Sequence, residues 1–578
     1  MDTPQRRWGL APADPAKELQ KTRARPGLPQ NTKETPMRCI SLASTLLLLA
    51  VSFPPAAAQG SGGTPGAVPR LFHTADQCMA CHNQLTTPSG EDVSIGFDWR
   101  SSMMGNSARD PYWMASVRRE TLDHSGLVDA IEDKCSVCHL AMARAQSVAH
   151  GGQGRVFRNL PPGKGTGPYA QLATDGVSCS ACHQIRDEKL GTEESFTGGF
   201  VIDQTTPMGQ REVFGPFEVD EGRTRIMLSA SELEPVQGDH IQSAELCATC
   251  HTLYTHARNP QGEEVGELPE QVPYLEWKHS DHYGERTCQS CHMPLIQDSV
   301  TVVGVLPNPR AEVSRHTFRG GNFLMPRMLN RYRAEMGTAA LPQELEATAG
   351  QALDNLRNHS ATITVELGER ENEELHVDVL VENLAGHKLP TAYPSRRAWL
   401  HLTVKDAGGD IVFESGALRP DGSIVANDND VDPRRYEPHY MEITSPEQVQ
   451  IYEPIMVDYA DEVTTGLLYG VRYVKDNRIL PLGFDKETAE YDIAVQGEAS
   501  EDHDFQGGMD KVRYVVEVGS ASGPFTVEAE LWYQPIGFRW ARNLGEYDTA
   551  ESARFSRYFD SMSASVSALL ARGELTVE

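Results

Sequence analysis

Residues 276–294 read Glu-Trp-Lys-His-Ser-Asp-His-Tyr-Gly-Glu-Arg-Thr-Cys-Gln-Ser-Cys-His-Met-Pro. This stretch contains the pattern C-x-x-C-H, in which two residues separate two cysteines and a histidine follows at once. The pattern occurs five times, and the copies contain ten of the eleven cysteines of the chain. We number them motif 1 (Cys78, Cys81, His82), motif 2 (Cys135, Cys138, His139), motif 3 (Cys179, Cys182, His183), motif 4 (Cys247, Cys250, His251) and motif 5 (Cys288, Cys291, His292).

The spacing within each motif is that of covalent haem attachment. Two thiols at this separation can form thioethers to the vinyl groups on one edge of a porphyrin, and the next histidine can bind the iron. Zinc sites do not require a histidine after every second cysteine, and a thioredoxin-type pair would occur once, near a βαβ unit. Five identical copies therefore predict five haem c groups, with His82, His139, His183, His251 and His292 as proximal ligands.

Each iron also has a second axial position, which favours electron transfer when filled and permits substrate binding when open. The chain has nineteen histidines, and the five in the motifs leave fourteen candidates. His73 and His240 lie shortly before motifs 1 and 4, and His282 lies shortly before motif 5. His316 lies in Ser-Arg-His-Thr-Phe-Arg-Gly-Gly-Asn, where glycines permit close approach of the backbone to a flat group. The alternative for each is a surface or supporting histidine.

A short internal repeat adds a methionine to these candidates. Residues 277–282 (Trp-x-x-Ser-x-His) align with residues 99–104 (Trp-x-x-Ser-x-Met), so Met104 stands where the later copy has a histidine. Methionine is a known axial ligand that raises the potential of a haem relative to two histidines. The alternative is that Met104 fills a gap in the core, which is the more usual role of methionine.

With these motifs, the chain resembles the multihaem cytochrome superfamily of the hydroxylamine-oxidoreductase-linked tetrahaem cytochrome and the pentahaem nitrite reductases. The resemblance covers residues 70–320. It rests on residues 175–183 (Asp-Gly-Val-Ser-Cys-x-x-Cys-His), 245–251 (Glu-Leu-Cys-x-x-Cys-His) and 276–294. It implies haems packed in stacked and perpendicular pairs, and ligand roles for His282 and His316. The nitrite reductases carry a lysine in place of the motif histidine at the catalytic haem, whereas all five motifs here end in histidine.

The sequence divides into parts of different character, and the predicted class is α+β. We expect a loop- and helix-rich multihaem cytochrome domain, then an antiparallel β-sandwich-like domain, indicated by short alternating apolar runs, and a C-terminal helix. The expected parts are an upstream over-extension 1–36, a signal peptide 37–58, a pentahaem cytochrome domain 70–320, a helical connector 321–358, a β-sandwich-like domain 360–535 and a C-terminal helical segment 539–572. The signal peptide is indicated by a short apolar run that ends in small residues.

Two loops of the β part carry further candidates. Residues 386–397 begin Gly-His-Lys-Leu-Pro-Thr, which resembles a loop in C-terminal domains of such cytochromes. His387 is therefore expected to cap a haem, and Arg396 or Arg397 to pair with haem propionates; an ordinary loop histidine is the alternative. Residues 427–432 (Asn-Asp-Asn-Asp-Val-Asp) offer the oxygen ligands that calcium prefers. Because the full EF-hand pattern is missing, a solvated acidic loop is favoured there.

Charge and compartment narrow the choice of partners. Lys and Arg total 52 against 81 Asp and Glu, a formal net charge of −29. Nucleic acid is excluded because it needs a basic footprint, and redox partner proteins are expected instead. The signal peptide predicts a periplasmic or otherwise exported protein without a membrane span in its mature form.

Three functions remain open at this point. The first is electron transfer through the five haems in a respiratory or redox chain. The second is a multihaem oxidoreductase acting on a small nitrogen or sulfur compound at a five-coordinate haem. The third is a subunit of a membrane-associated respiratory complex. The uniform motifs and the surplus of histidines favour electron transfer, because this function needs no empty axial position.

Overall fold

The structure, a computed structural model, describes residues 69–371 and 373–578. The upstream segment 1–36 and the signal peptide 37–58 expected from the sequence lie outside these residues. The described part mixes helices and strands, which is the α+β class that the sequence predicts. Most helices lie before residue 360 and most of the longer strands after it, while the predicted domain boundaries stay predictions.

Short helices and small sheets form the part that carries the five motifs. Its helices are α1 (Ala75–Met79), α2 (Ile95–Ser101), α3 (Pro111–Asp123), α4 (Val128–His139), α5 (Ala141–Ala149), α6 (Val156–Asn159), α7 (Ala170–Thr174), α8 (Cys179–Cys182), α9 (Glu221–Ser231), α10 (Ala244–His251), α11 (Pro273–Lys278) and α12 (Cys288–His292). Its paired strands are β1 (Arg211–Gly215) with β2 (Leu233–Gln237), β3 (Leu253–Arg258) with β4 (Glu264–Gln271), and β5 (Val300–Thr301) with β6 (Pro309–Arg310). The start of α3 is set locally, since the Asp110 side chain accepts hydrogen bonds from the Tyr112 and Trp113 backbone N–H groups.

Three helices connect this part to the main sheets. They are α13 (Leu324–Arg331), α14 (Arg333–Met336) and α15 (Pro342–His359). In α15, Leu345, Ala352, Leu353 and Leu356 recur at helical spacing and are buried in the main hydrophobic core. Within the described part of the chain, no helix is both long and apolar enough to cross a bilayer.

The remaining strands form two main sheets and one smaller sheet. They are β7 (Ala361–Glu371), β8 (Glu374–Asn383), β9 (Arg397–Lys405), β10 (Ile411–Ser415), β11 (Glu442–Ile443), β12 (Ile451–Tyr452), β13 (Pro454–Val457), β14 (Val463–Thr464), β15 (Arg472–Asp476), β16 (Met509–Glu517), β17 (Phe525–Gln534) and β18 (Ala568–Val577). The sheet orders are β10-β9-β17-β18 with β12 also paired to β9, β11-β16-β8-β7, and β14-β13-β15. All neighbours in these sheets are antiparallel except β11 and β16, which run parallel.

The two main sheets share one hydrophobic core. Along β8, buried and partly exposed residues alternate, and Val377, Val379 and Val381 are fully buried. Leu400 and Leu402 of β9, in the other sheet, belong to the same apolar cluster. One buried face explains the alternating apolar residues that predicted β8, whereas β9 is buried at nearly every position, on both faces of its sheet.

The C-terminal segment differs from the helix predicted over residues 539–572. After the short helix α16 (Asp428–Val431), the last helices are α17 (Phe538–Leu544) and α18 (Ala550–Asp560), and the chain then forms β18. Part of the predicted helix is present as α18, where Phe555, Tyr558 and Phe559 are buried. The prediction is wrong for β18, because this segment pairs along its length with β17, and the hydrogen bonds of the sheet outweigh a weak helical preference.

Candidate cofactor-binding site

All five motifs line one continuous cavity, with a volume of about 1440 Å³. The cysteines of each motif lie on or next to a helical turn, in α1, α4, α8, α10 and α12. On a helix, residues three positions apart lie on the same face. Each motif therefore presents two sulfur atoms and one imidazole to a shared interior space.

Cysteines of different motifs lie next to one another. All ten are free, and three pairs come within hydrogen-bonding distance: Cys78 with Cys179, Cys138 with Cys250, and Cys247 with Cys288. Cys250 also contributes to the raised pKa of Cys182, which places motif 3 near motif 4. The motifs thus form a connected row 1–3–4, and motifs 2 and 5 both adjoin motif 4.

Two of the thiols are removed from water. Burial raises the pKa of the Cys135 thiol well above its usual value and that of Cys182 to about 12. Both thiols therefore hold their protons while the sulfur atoms carry no bound group.

Backbone carbonyl groups orient three of the motif histidines. The Nδ1 atoms of His82 and His183 each lie 2.6 Å from a carbonyl oxygen, and Nδ1 of His292 donates to the carbonyl of Arg319. Since a carbonyl only accepts, the proton lies on Nδ1 and the Nε2 lone pair stays free for a metal. Burial lowers the pKa of His292 to about 4, so this ring is neutral.

Two pairs of histidines face each other at the separation that a shared metal requires. The ring centres of His183 and His316 are 6.4 Å apart with 18° between the rings, and those of His292 and His387 are 6.2 Å apart with 16°. Imidazoles on opposite sides of one metal, with bonds of about 2 Å, have ring centres about 6 Å apart. The residues at motifs 3 and 5 therefore fit an iron with two histidine ligands.

The second histidine of each pair comes from outside the motifs. His316 lies between β6 and α13, and His387 lies in the loop between β8 and β9. Both line the cavity, and removal from water lowers the pKa of His316 to about 4 and that of His387 below its usual value. His387 thus reaches the motifs from the sheet part of the molecule.

The internal tryptophan–serine repeat has a structural counterpart. The indole N–H groups of Trp99 and Trp277 each donate to a backbone carbonyl, at 2.8 and 2.9 Å. In each copy the serine three residues later donates to the carbonyl of the tryptophan, at 2.7 and 2.8 Å. The last residues of the two copies, Met104 and His282, both line the cavity. The shared local structure therefore presents a thioether to the cavity in one copy and an imidazole in the other.

The two remaining predicted ligands differ in their surroundings. Nε2 of His73 is buried and has no hydrogen-bond partner in the described structure, which suits a metal ligand. Nε2 of His240 lies 2.8 Å from the carbonyl oxygen of Ile185, and neither histidine is among the residues that line the cavity. The structure therefore supports His73 as a ligand better than His240.

The segment 427–432 does not form the calcium site considered from the sequence. Each of its carboxylates pairs with an arginine: Asp428 with Arg435, Asp430 with Arg397, and Asp432 with Arg434. Oxygens held by arginines do not form the cage of six to eight ligands that calcium requires. Arg397 is buried in its ion pair with Asp430. Arg396 lines the cavity and is therefore the better candidate to pair with a haem propionate.

Sequence reasoning missed a group of acids and phenols beside motif 2. Glu120, Glu270, Tyr112 and Tyr393 all line the cavity, and the two tyrosine rings are 5.9 Å apart. Burial raises the pKa of Glu270 to about 7, so this carboxyl holds a proton near neutral pH. These residues are far apart in the sequence and belong to no recognisable motif, so no local signal marks them.

A second buried cluster contains His439, Asp502 and Asp510 but does not suit a metal. Nε2 of His439 is 2.9 Å from Asp502, while its Nδ1 is 2.9 and 3.1 Å from the amide nitrogens of Gln450 and Asn477. The oxygens of both amides accept backbone N–H groups, which fixes the amide nitrogens as donors to Nδ1. The proton of His439 therefore lies on Nε2, where a metal would need a lone pair.

One solved structure has a similar fold. It is a penta-heme cytochrome c552 from Thermochromatium tepidum, with a TM-score of 0.50 and 15% sequence identity, over 88% of this chain and 100% of that chain. At this identity the likeness is one of fold. No protein-family model and no curated protein sequence matches the chain. The chain thus has a fold similar to that of this penta-heme cytochrome, and the narrower resemblance to nitrite reductases stays a prediction.

Proposed function

We propose that the protein is an electron-transfer cytochrome with five covalently attached haem c groups. The observation that carries the proposal is the shared cavity, which all five C-x-x-C-H motifs line. The similar solved structure is by its name a penta-heme cytochrome, and this chain has five attachment motifs. When bound, haem c supplies an Fe(III)/Fe(II) couple that carries one electron per group.

In this proposal the motif residues hold the haems and other residues complete the coordination. The cysteines form the thioethers, and the motif histidines bind the irons from one side. His316 and His387 supply the second ligand at motifs 3 and 5, which closes these irons to substrates and suits them to electron transfer. His73, Met104 and His282 are proposed for the other irons.

The neighbouring cysteines suggest an order of electron transfer. Cysteines within hydrogen-bonding distance connect motif 1 to motif 3 and motif 4 to both motif 2 and motif 5, and Cys182 of motif 3 is influenced by Cys250 of motif 4. Haems held by motifs connected in this way would be neighbours, which would suit electron transfer between them. Motif 4 would then adjoin three of the other motifs.

The number of haems tests the proposal. A pyridine haemochrome assay of the purified protein should give five haems per chain. The double variant Cys179→Ala with Cys182→Ala should give four, because one motif then lacks both attachment sulfurs. Ser290→Ala, an exposed position within motif 5, is the matched control and should keep five. A count of four or fewer in the unaltered protein would contradict the proposal.

A second function, catalysis on a small nitrogen or sulfur compound, is favoured by the acids and phenols beside motif 2. Proton-coupled reduction needs a donor, and a carboxyl with a pKa of about 7, such as Glu270, suits that role. If this function holds, adding nitrite or hydroxylamine should shift a high-spin ferric resonance. Glu270→Gln should slow the conversion of the added compound but keep that shift. A spectrum with only low-spin iron would contradict this second function and leave electron transfer as the proposed function.

We further propose that the protein is exported and acts with redox partner proteins, either free or within a membrane-associated respiratory complex. The support is the signal peptide predicted over residues 37–58 and the covalent haem attachment that the motifs predict. N-terminal sequencing of the mature protein should begin close to Gln59. A mature chain that retains residues 37–58 would contradict export through this signal.

A further inference from the structure

The loop that carries His387 is held by a carboxylate from the motif-bearing part of the chain. Glu276 lies on α11 and is completely buried. Its Oε2 accepts hydrogen bonds from the backbone N–H of Lys388, at 3.1 Å, and from the hydroxyl of Thr391. Its Oε1 accepts a hydrogen bond from Arg478, at 2.9 Å. One buried side chain thus connects α11, the β8–β9 loop and the segment after β15.

The charges of this group balance one another. Asp476 lies 2.7 Å from Lys388 and 2.7 Å from Arg478. All four side chains are at most 6% exposed. Two buried cations and two buried carboxylates therefore balance each other's charge. Removal of any one of these side chains would leave an opposite charge buried without its partner.

The same contacts fix the backbone and the ring of His387. The peptide bond between His387 and Lys388 is held on both sides, because its N–H donates to Glu276 and its carbonyl accepts from Asn383 at 2.9 Å. Nδ1 of His387 lies 2.9 Å from the Lys388 carbonyl oxygen, so its free Nε2 is the atom available to a metal. The ring then faces His292 across the gap of 6.2 Å between ring centres.

We propose that Glu276 is a positioning residue for the distal ligand of motif 5. It orients the His387 loop by hydrogen bonds to Lys388 and Thr391 and does not itself touch the iron site. The inference rests on the proposed function, in which His387 binds the iron attached at motif 5. Residues 276–292 then contain both motif 5 and Glu276, the residue that positions His387 as the second ligand of the same iron.

Electron paramagnetic resonance of the oxidised five-haem protein tests this role. Glu276→Ala should convert one of the five irons from low spin to high spin, as His387→Ala should, because the loop loses its two hydrogen bonds to Glu276. Added imidazole should restore the low-spin signal in both variants by filling the vacated position. Glu276→Gln keeps an acceptor for Lys388 and should show a smaller high-spin fraction than Glu276→Ala.

A matched control separates positioning from general loss of stability. Asp430→Asn breaks the buried pair with Arg397, whose side chains are 1% and 3% exposed, and it should leave all irons low-spin. If Glu276→Ala does not fold, Thr391→Val removes one bond to the same carboxylate and should lower the imidazole concentration needed to displace His387.

Two outcomes would overturn the proposal. A wild-type spectrum in Glu276→Ala, together with a high-spin iron in His387→Ala, would show that the loop does not need this carboxylate. A wild-type spectrum in His387→Ala would show that His387 does not bind the iron, and Glu276 would then have no ligand to position. If the same protein still contains five haems, the proposed function would stand.

Discussion

At the scale of single residues, the clearest consequence concerns His316, which faces His183 with 6.4 Å between ring centres. His316→Ala should keep five haems, because the cysteines are untouched, but open the iron at motif 3 to external ligands. Resonance spectra should show one iron of the five turning high-spin, and cyanide should bind this variant more readily than the unaltered protein. His376→Ala is the matched control, since this histidine lies on β8 beside Glu374. An unchanged spectrum in His316→Ala would remove it as a ligand.

The residues of this site could be predicted only in part from the sequence. Each C-x-x-C-H motif is complete within five residues, so the attachment cysteines and proximal histidines follow from local pattern alone. Which histidine faces which motif depends on chain segments that meet only after folding. Glu276 stands in the stretch that identified the motifs, yet its partner Arg478 lies 202 residues later in the chain, and no local pattern records a contact over that separation.

At the scale of elements, the paired strands of the two main sheets were predictable and the last strand was not. A sheet with one buried face produces alternating apolar residues, as in β8. In β18, the apolar residues also fit a helix, and the partner that decides between the two, β17, lies earlier in the chain. Local periodicity therefore cannot distinguish a helix from a strand in a segment whose structure depends on hydrogen bonds to a distant part of the chain.

Gly573 makes the packing of β18 measurable. A Cβ atom there would lie 2.9 Å from Cγ2 of Val365 and 3.3 Å from the carbonyl oxygen of Ile363, and the stiff valine cannot easily move away. Gly573→Ala should therefore lower the free energy of unfolding by about 1–3 kcal/mol. A denaturant titration measures this change, and an unchanged free energy of unfolding would contradict the close packing of β18 against β7. Gly350→Ala in α15, with no atom within 4 Å of the new Cβ, is the control and should be neutral or stabilising.

At the scale of the whole molecule, the proposed electron transfer should depend on the net charge of the protein. The formal net charge is −29 at pH 7, and opposite charges accelerate diffusional association. A small basic electron donor should therefore reduce the oxidised protein about tenfold or more faster at low than at physiological salt, because the Debye length falls from about 30 Å to about 8 Å. Stopped-flow measurement of the second-order rate constant at several salt concentrations checks this. An acidic donor of similar potential is the control and should show the opposite trend, because salt then screens a repulsion. If both donors react at rates independent of salt, the electron enters at a surface where the acidic charge has no influence, and the expectation of a basic partner is wrong.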